Sequence, residues 1–370
     1  MGRTAPPGTR IRVLVVDDSR FMRKVIRAIL AADPAIDVVG TAADGLEAVE
    51  AVLALQPDVV TMDVDMPRAD GLTAVERIMT ERPTPIVMIS AHTRRDSAAA
   101  IRALELGAVD FVAKPSFTVD LGLDGLREEI LRKVRVAARV RPVRTASRSR
   151  PRLVPEPTAP PRLADEARPA DWTPCVVIAA STGGPAALLG IVPDLPAGLP
   201  ASILIVQHMP APYTAALAAA LAARSPLPVR EASDGEWLRR GAVYVNPGWH
   251  HLTLAPGGRV VLHAPPTRQG QCPSADLAMM SVARRAGARS VGVILSGMGH
   301  DGAAGARAIR RAGGMVIAQD EATSVVYGMP KAAVDAWAVD LVLPLDEVVP
   351  AIERCVTEVL ASARKAERAV

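Results

Sequence analysis

Short apolar runs recur along this chain. Most close on a polar residue and lead into a stretch with helical spacing. Over residues 11 to 138 the apolar runs are Ile11–Val16, Asp37–Thr41, Asp58–Met62, Pro85–Ile89 and Val109–Val112. Helix-period stretches lie near 19–31, 45–55, 71–81 and 95–106, and a last amphipathic stretch covers 123–138. Strands that alternate with helices in this way pair in parallel, so the pattern predicts a doubly wound α/β sheet. The alternation pauses and then resumes at Val176. There the predicted strands are 176–180, 202–207, 242–245, 252–254, 259–262, 291–296, 314–318 and 340–343. The predicted helices are 185–192, 212–223, 275–286, 303–312, 330–336 and 346–364. The block 242–262 carries Asn-Pro-Gly and Pro-Gly-Gly turns and reads as a small antiparallel insertion. The expected fold class is therefore α/β, with two doubly wound parallel-sheet domains.

The pause separates the domains. Residues 139 to 171 hold seven prolines, many arginines and few large apolar groups, which predicts a flexible linker. The division is then 10–138, a linker over 139–172, and a second domain over 173–362. The formal net charge of +4 is misleading. Residues 132 to 152 hold nine Lys or Arg and no acid, and without them the charge is −5. Basicity confined to one segment does not make a nucleic-acid-binding face, so no nucleic-acid partner is expected. No apolar run is long enough to span a bilayer, so no membrane insertion is expected either. The first residues lack the layout of a signal peptide, and the expected location is the cytoplasm. Cys175, Cys272 and Cys355 are scattered without metal-ligand spacing and read as reduced, small hydrophobic side chains.

In the first domain the polar residues at the strand ends form a set. Asp17 and Asp18 close the first strand, Asp63 the third and Ser90 the fourth, and Lys114-Pro115 follows the fifth. A parallel sheet gathers all these ends on one edge, where such folds bind ligands. Three carboxylates there repel one another unless a cation joins them, and an oxygen-only ligand set suits Mg²⁺. The chemistry that fits is phosphoryl transfer. Asp17, Asp18 and Asp63 hold the metal, and Asp63 attacks phosphorus. Lys114 and the Ser90 hydroxyl face the phosphoryl oxygens. The motifs VVDDSR, MDVDMPRADG, ISA and DFVAKP resemble the response-regulator receiver family over residues 10 to 130. The resemblance implies a flavodoxin-like fold and a histidine kinase as phosphoryl donor. It also implies that Ser90 and Phe111 act as a switch pair, and that the Lys114–Pro115 bond is cis.

In the second domain VVIAASTGGPAALL reads as strand, sharp turn and helix, with Ser181 at the turn and Pro185 at the first helical position. A serine hydroxyl needs a base to become a nucleophile. His208 follows the strand ILIVQ, and Asp301 lies just beyond the strand 291–296. Three strands thus deliver Ser181, His208 and Asp301 to one sheet edge. The turn lacks the first glycine of a G-x-S-x-G elbow, and the order Ser, His, Asp differs from that of α/β-hydrolases.

The segments ASTGGP, QHMP, PSAD, GVILSGMGHDGAAG and AQDEATSVVYGMP resemble the catalytic domain of chemotaxis protein-glutamate methylesterases over residues 174 to 360. The resemblance implies a Rossmann-like catalytic domain with Ser181 as nucleophile, His208 as general base and Asp301 as orienting acid. It adds an oxyanion site from the Met298 backbone N–H with Thr182, and no cofactor for ester hydrolysis. The implied substrate is a glutamate methyl ester on the cytoplasmic helices of a chemoreceptor, with glutamine deamidation as a second activity and phosphorylation of Asp63 as the activating step. Two positions depart from the pattern: His300 stands where Asn is expected and is read as facing solvent, and Cys272 stands in place of Arg. Two other readings stay open at this point. One is a nucleotide- or adenosylmethionine-binding domain with STGGP as the anion loop. The other is a non-enzymatic binding module under receiver control.

Overall fold

The computed structural model describes residues 10–90, 93–114, 123–140, 173–265 and 271–368. The chain divides into two compact units, Met1–Arg150 and Pro151–Val370. The Lys114–Pro115 bond and nearly all of the predicted linker lie outside the described residues.

The first unit holds β1 (Ile11–Val16), α1 (Arg20–Ala31), β2 (Ile36–Ala42), α2 (Gly45–Leu55), β3 (Val59–Asp63), α3 (Gly71–Glu81), β4 (Ile86–Ser90), α4 (Arg94–Glu105), β5 (Asp110–Ala113) and α5 (Leu123–Ala137). The five strands form one parallel sheet in the order β2-β1-β3-β4-β5. Side chains of β3 and β4 are buried on both faces, as a sheet covered by helices on each side requires. Ser19, Asp44, Asp70 and Thr93 cap the first four helices, each accepting a backbone N–H in the first turn. Loops that end on a capping residue launch each helix at the sheet edge, and this keeps that edge polar.

The second unit holds β6 (Cys175–Ala180), α6 (Gly184–Ile191), β7 (Ser202–Gln207), α7 (Ala211–Ala222), β8 (Val229–Glu231), β9 (Ala242–Val245), β10 (His251–Leu254), β11 (Val260–His263), α8 (Ala275–Ala286), β12 (Ser290–Ile294), α9 (Ala303–Arg311), β13 (Met315–Gln319), α10 (Met329–Asp335), β14 (Leu341–Leu343) and α11 (Leu345–Arg368). Seven strands form a parallel sheet in the order β14-β13-β12-β6-β7-β9-β8. Its core is aliphatic. Val176, Val177, Ile178, Ile203, Ile205, Val293 and Ile294 are all fully buried.

The predicted antiparallel insertion over 242–262 is corrected in extent. Only β10 and β11 pair antiparallel, whereas β9 lies inside the parallel sheet between β7 and β8. Ala242–Val245 is buried at every residue, the pattern of a strand covered on both faces rather than of a two-stranded ribbon. The three-residue edge strand β8 is too short to announce itself by periodicity. In both sheets the chain starts in the interior, at β1 or β6, and later returns to build the other side. β1 and β6 are therefore the switch points, where parallel sheets leave a crevice at the strand ends.

Candidate active site

The crevice beside β1 gathers the acids. Asp17 follows β1 and Asp63 ends its neighbour β3. Asp17, Asp18 and Asp63 each offer an oxygen within 4.8 Å of the other two. Lys114 Nζ stands 2.9 Å from Asp17 Oδ2 and 2.7 Å from Asp63 Oδ2. The second oxygen of Asp63 accepts the Val64 N–H at 2.8 Å. Burial pushes the Asp63 carboxyl up, Lys114 pulls it down, and with the Asp17 charge also raising it the net is a pKa of about 6. Burial depresses the Lys114 ammonium, but the two carboxylates outweigh it and hold the group above its ordinary value. Asp17 Oδ2 is buried and takes no well-directed hydrogen bond despite the nearby ammonium. A spare buried oxygen within an all-carboxylate donor set fits a small, hard divalent cation. The Ser90 hydroxyl donates to the Asp96 carbonyl of α4 at 3.1 Å, so here it faces the helix. Phe111 is buried in β5 with the Lys133 ammonium 5.0 Å over its ring.

The crevice at β6 gathers the other set. Ala180, the last residue of β6, pairs with Gln207, the last residue of β7, so Ser181 and His208 leave the sheet side by side. The ladder extends one step further. The His208 N–H donates to the Ala180 carbonyl at 3.0 Å, and the Ser181 N–H donates to the Ser296 carbonyl beyond β12 at 3.0 Å. Gln207 is buried, and its Nε2 donates to the carbonyls of both Ser181 (2.9 Å) and His208 (3.3 Å). A sharp turn follows at once, closed by the Gly184 N–H on the Ser181 carbonyl at 2.8 Å. That turn needs Gly183 in the left-handed region at φ 77°, where a Cβ would lie 2.4 Å from Val325 Cβ. Ser181 is 8% exposed, held but not sealed.

His208 Nε2 lies 2.8 Å from Asp301 Oδ2. That contact fixes the imidazole and leaves Nδ1 as its other nitrogen. Asp301 sits at the N-terminus of α8. Its Oδ2 also accepts the Ala275 N–H at 2.7 Å, while Oδ1 accepts the Asp276 N–H at 2.9 Å and the Ser274 hydroxyl at 3.1 Å. Burial pushes the Asp301 carboxyl up, but His208 and the backbone donors outweigh it and hold its pKa at about 2. Asp301 is therefore a permanent anion beside the histidine.

All three predicted residues are thus carried to one sheet edge, and Asp301 touches His208. Thr182 is buried next to Ser181, and among the described residues its N–H has no acceptor. Met298 follows Gly297, where an added Cβ would lie 2.9 Å from Ser181 Cβ. His300 is exposed, and its carbonyl accepts the Ala303 N–H at 3.1 Å. Cys272 is half-buried, and burial pushes its thiol up. All three cysteines are free. Sequence reasoning assigned no role to Gln207, Ser274 or Asp276. The only available signal was their presence in QHMP and PSAD, where the one side chain given a role was His208.

An acid-lined receiver sheet joined to a parallel sheet that carries Ser, His and Asp at adjacent strand ends defines a class: a response regulator with a hydrolytic output domain. Comparison with known proteins agrees. The response regulator receiver domain matches residues 13–122, and the CheB methylesterase domain matches residues 176–352. A protein-glutamate methylesterase/protein-glutamine glutaminase of Symbiobacterium thermophilum is 49% identical over 94% of this chain and 98% of its own length. One from Pyrococcus abyssi is 45% identical over 94% of each chain. The crystal structure of the Thermotoga maritima CheB methylesterase catalytic domain is 40% identical, covering 50% of this chain and 99% of that one with a TM-score of 0.48. The chain belongs to the CheB methylesterase family. With that, the nucleotide-binding and non-enzymatic readings fall away. No helix among the described residues is long and apolar enough to cross a membrane.

Proposed function

We propose that the second unit hydrolyses glutamate γ-methyl esters on the cytoplasmic helices of a chemoreceptor, with Ser181, His208 and Asp301 as its catalytic triad. The observation that carries this is the 2.8 Å contact of His208 with a permanently ionised Asp301, beside a serine at the neighbouring strand end. Because Asp301 takes Nε2, Nδ1 is the nitrogen that receives the Ser181 proton. Ser181 Oγ attacks the ester carbonyl as that proton moves to His208. Asp301 stabilises the imidazolium that forms. Negative charge develops on the carbonyl oxygen, and the backbone N–H groups of Thr182 and Met298 receive it. The imidazolium then protonates the leaving methoxide, which departs as methanol. Water, deprotonated by His208, hydrolyses the acyl-serine to free glutamate. A glutamine side chain follows the same path with ammonia as the leaving group.

The first unit controls the second. A histidine kinase donates a phosphoryl group to Asp63, while Asp17, Asp18 and Asp63 would hold a Mg²⁺ ion whose charge offsets that of the phosphoryl oxygens. Lys114 adds a second positive charge there, and the Ser90 hydroxyl turns from Asp96 toward the phosphoryl group as Phe111 shifts. A phosphoryl group adds roughly −1.5 to −2 charges at one strand end. The test is methanol release from membranes bearing methylated receptor, with and without a phosphoryl donor. Ser181→Ala should lose about 10⁴ to 10⁶ in kcat. Asp63→Asn should keep the basal rate and lose the stimulation. An active Ser181→Ala protein would end the triad reading.

A further inference from the structure

Asp276 does more than begin a helix. Its N–H donates to Asp301 Oδ1 at 2.9 Å. Its own carboxylate turns to the next helix, where Oδ1 accepts the N–H groups of Gly302 at 2.9 Å and Gly305 at 2.7 Å. Gly302 in turn donates to Asp301 Oδ1 at 3.1 Å. The two acids therefore exchange helices. Asp301, from the loop that leads into α9, caps α8; Asp276, from α8, caps α9. Ser274 adds its hydroxyl to Asp301 and accepts the Leu277 N–H at 3.4 Å. Asp276 is half-buried, and α8 and α9 pack tightly, with Gly305 so close to Asp276 that a Cβ there would lie 3.1 Å from the Asp276 Cα.

Asp301 cannot turn without releasing N–H groups at the starts of both helices, and Asp276 cannot turn without releasing two at the start of α9. Two like charges are held together at a cost, since burial and the Asp301 charge both raise the Asp276 carboxyl. The backbone donors offset that cost. Simple capping of α9 needs only a neutral Ser, Thr or Asn. A charged residue that also contacts the partner of His208 does something further: it fixes the angle at which Asp301 meets the imidazole.

We infer that Asp276 is a positioning residue for the hydrolytic reaction, locking Asp301 against His208 by clamping the N-termini of α8 and α9 to each other. The inference rests on the triad reading above, and the two fail separately. With Asp276→Asn the acid loosens, and the imidazolium that Asp301 faces loses stabilisation, in the reaction and at low pH alike. The expected result is a fall of roughly tenfold in kcat with KM within twofold of wild type. The acidic limb of the pH profile should move down by about half a unit. A smaller folded fraction would scale kcat without moving that limb. Ser274→Ala, which removes one donor from Asp301 and leaves Asp276 in place, should shift the limb in the same direction by less. It carries the test if Asp276→Asn does not fold.

The measurement is methanol release by the full chain across pH, alongside Ser181→Ala. Loss of activity in Ser181→Ala together with an unmoved limb in the Asp276→Asn chain, or in Ser274→Ala where the former does not fold, would overturn the positioning role and leave the triad intact. An active Ser181→Ala chain would remove both.

Discussion

Gly297→Ala is the sharpest probe of how Ser181 is held. Gly297 does not use a left-handed backbone, so alanine meets no torsional objection there. The obstacle is space. A Cβ at this position would lie 2.9 Å from Ser181 Cβ and 2.3 Å from Met329 Sδ. Carbon–carbon contacts settle near 3.5–4.0 Å. The Met329 thioether is fully buried but unbranched, and can yield part of the gap. Ser181 cannot yield freely, because its N–H is tied to Ser296 and its carbonyl to Gln207 and Gly184. The remaining displacement of Ser181 is roughly 0.6–1.1 Å. A shift of about 1 Å in a reacting group costs about 10²-fold in rate. The expected loss is therefore 10- to 100-fold in kcat, by order of magnitude, with overpacking costing about 1–3 kcal/mol of stability. The assay is steady-state methanol release read against a melting curve. Gly190→Ala is the control. Gly190 lies near the end of α6 with nothing within 4 Å of the added Cβ, so full activity and about 0.5–1 kcal/mol of added stability are expected. A folded Gly297→Ala protein with kcat within twofold of wild type would refute the claim that this contact sets the nucleophile.

Two further outcomes follow from the carboxylates. Asp301→Asn should lower kcat by about 10⁴, because an amide N–H facing Nε2 favours the wrong imidazole tautomer. Asp301 has a folded pKa of about 2 against an ordinary value of 3.8, so its ionised form contributes about 2 kcal/mol of stability. That contribution is present above pH 4 and is lost as pH falls through 2, and Asp301→Asn should flatten the fall. Every tryptophan lies beyond residue 150, so urea unfolding followed by tryptophan fluorescence reports this unit alone. Asp63 has the opposite sign. Its pKa rises from 3.8 to about 6, so above pH 6 the ionised form costs the folded receiver about 3 kcal/mol. In chelator at pH 8, Asp63→Asn should be more stable by up to that amount, with the difference gone near pH 4. Hydrogen exchange of the β1 and β3 amides measures it, and equal protection at both pH values would contradict the burial argument.

Both sheets were legible in the sequence because a parallel strand buried on two faces is a continuous apolar run, and a helix of three turns shows its period. The strand ends fell within two residues of their predicted positions. Ser181, His208 and Asp301 could be brought together from sequence because strand direction alone places them at one edge. What could not be read was order within the sheet. Nothing in Ala242–Val245 says that it pairs beside β7 rather than with Leu252, so the antiparallel insertion was drawn too large. Val229–Glu231 is too short for a period. The clamp on Asp301 was equally hidden, because three of its donors are backbone N–H groups at the starts of α8 and α9, whose direction depends on how two helices approach.

The same residue type at strand ends or the loops beyond them thus meets two opposite fates, and the difference is one of donors. Asp63 accepts a single backbone N–H and shares Lys114 with Asp17, so burial prevails and its carboxyl is driven up. Asp301 accepts three backbone N–H groups and a hydroxyl besides His208, so the donors prevail and its carboxyl is driven down. Each outcome suits the proposed chemistry. A carboxylate that must attack phosphorus gains nucleophilicity from poor solvation and needs an exposed lone pair. A carboxylate that must hold an imidazolium needs a fixed charge and no freedom to turn. Adding donors to Asp63 would quiet the receiver, and stripping them from Asp301 would quiet the esterase. In both sheets the count of N–H groups at a strand-end acid, more than the acid itself, decides which reaction the edge can support.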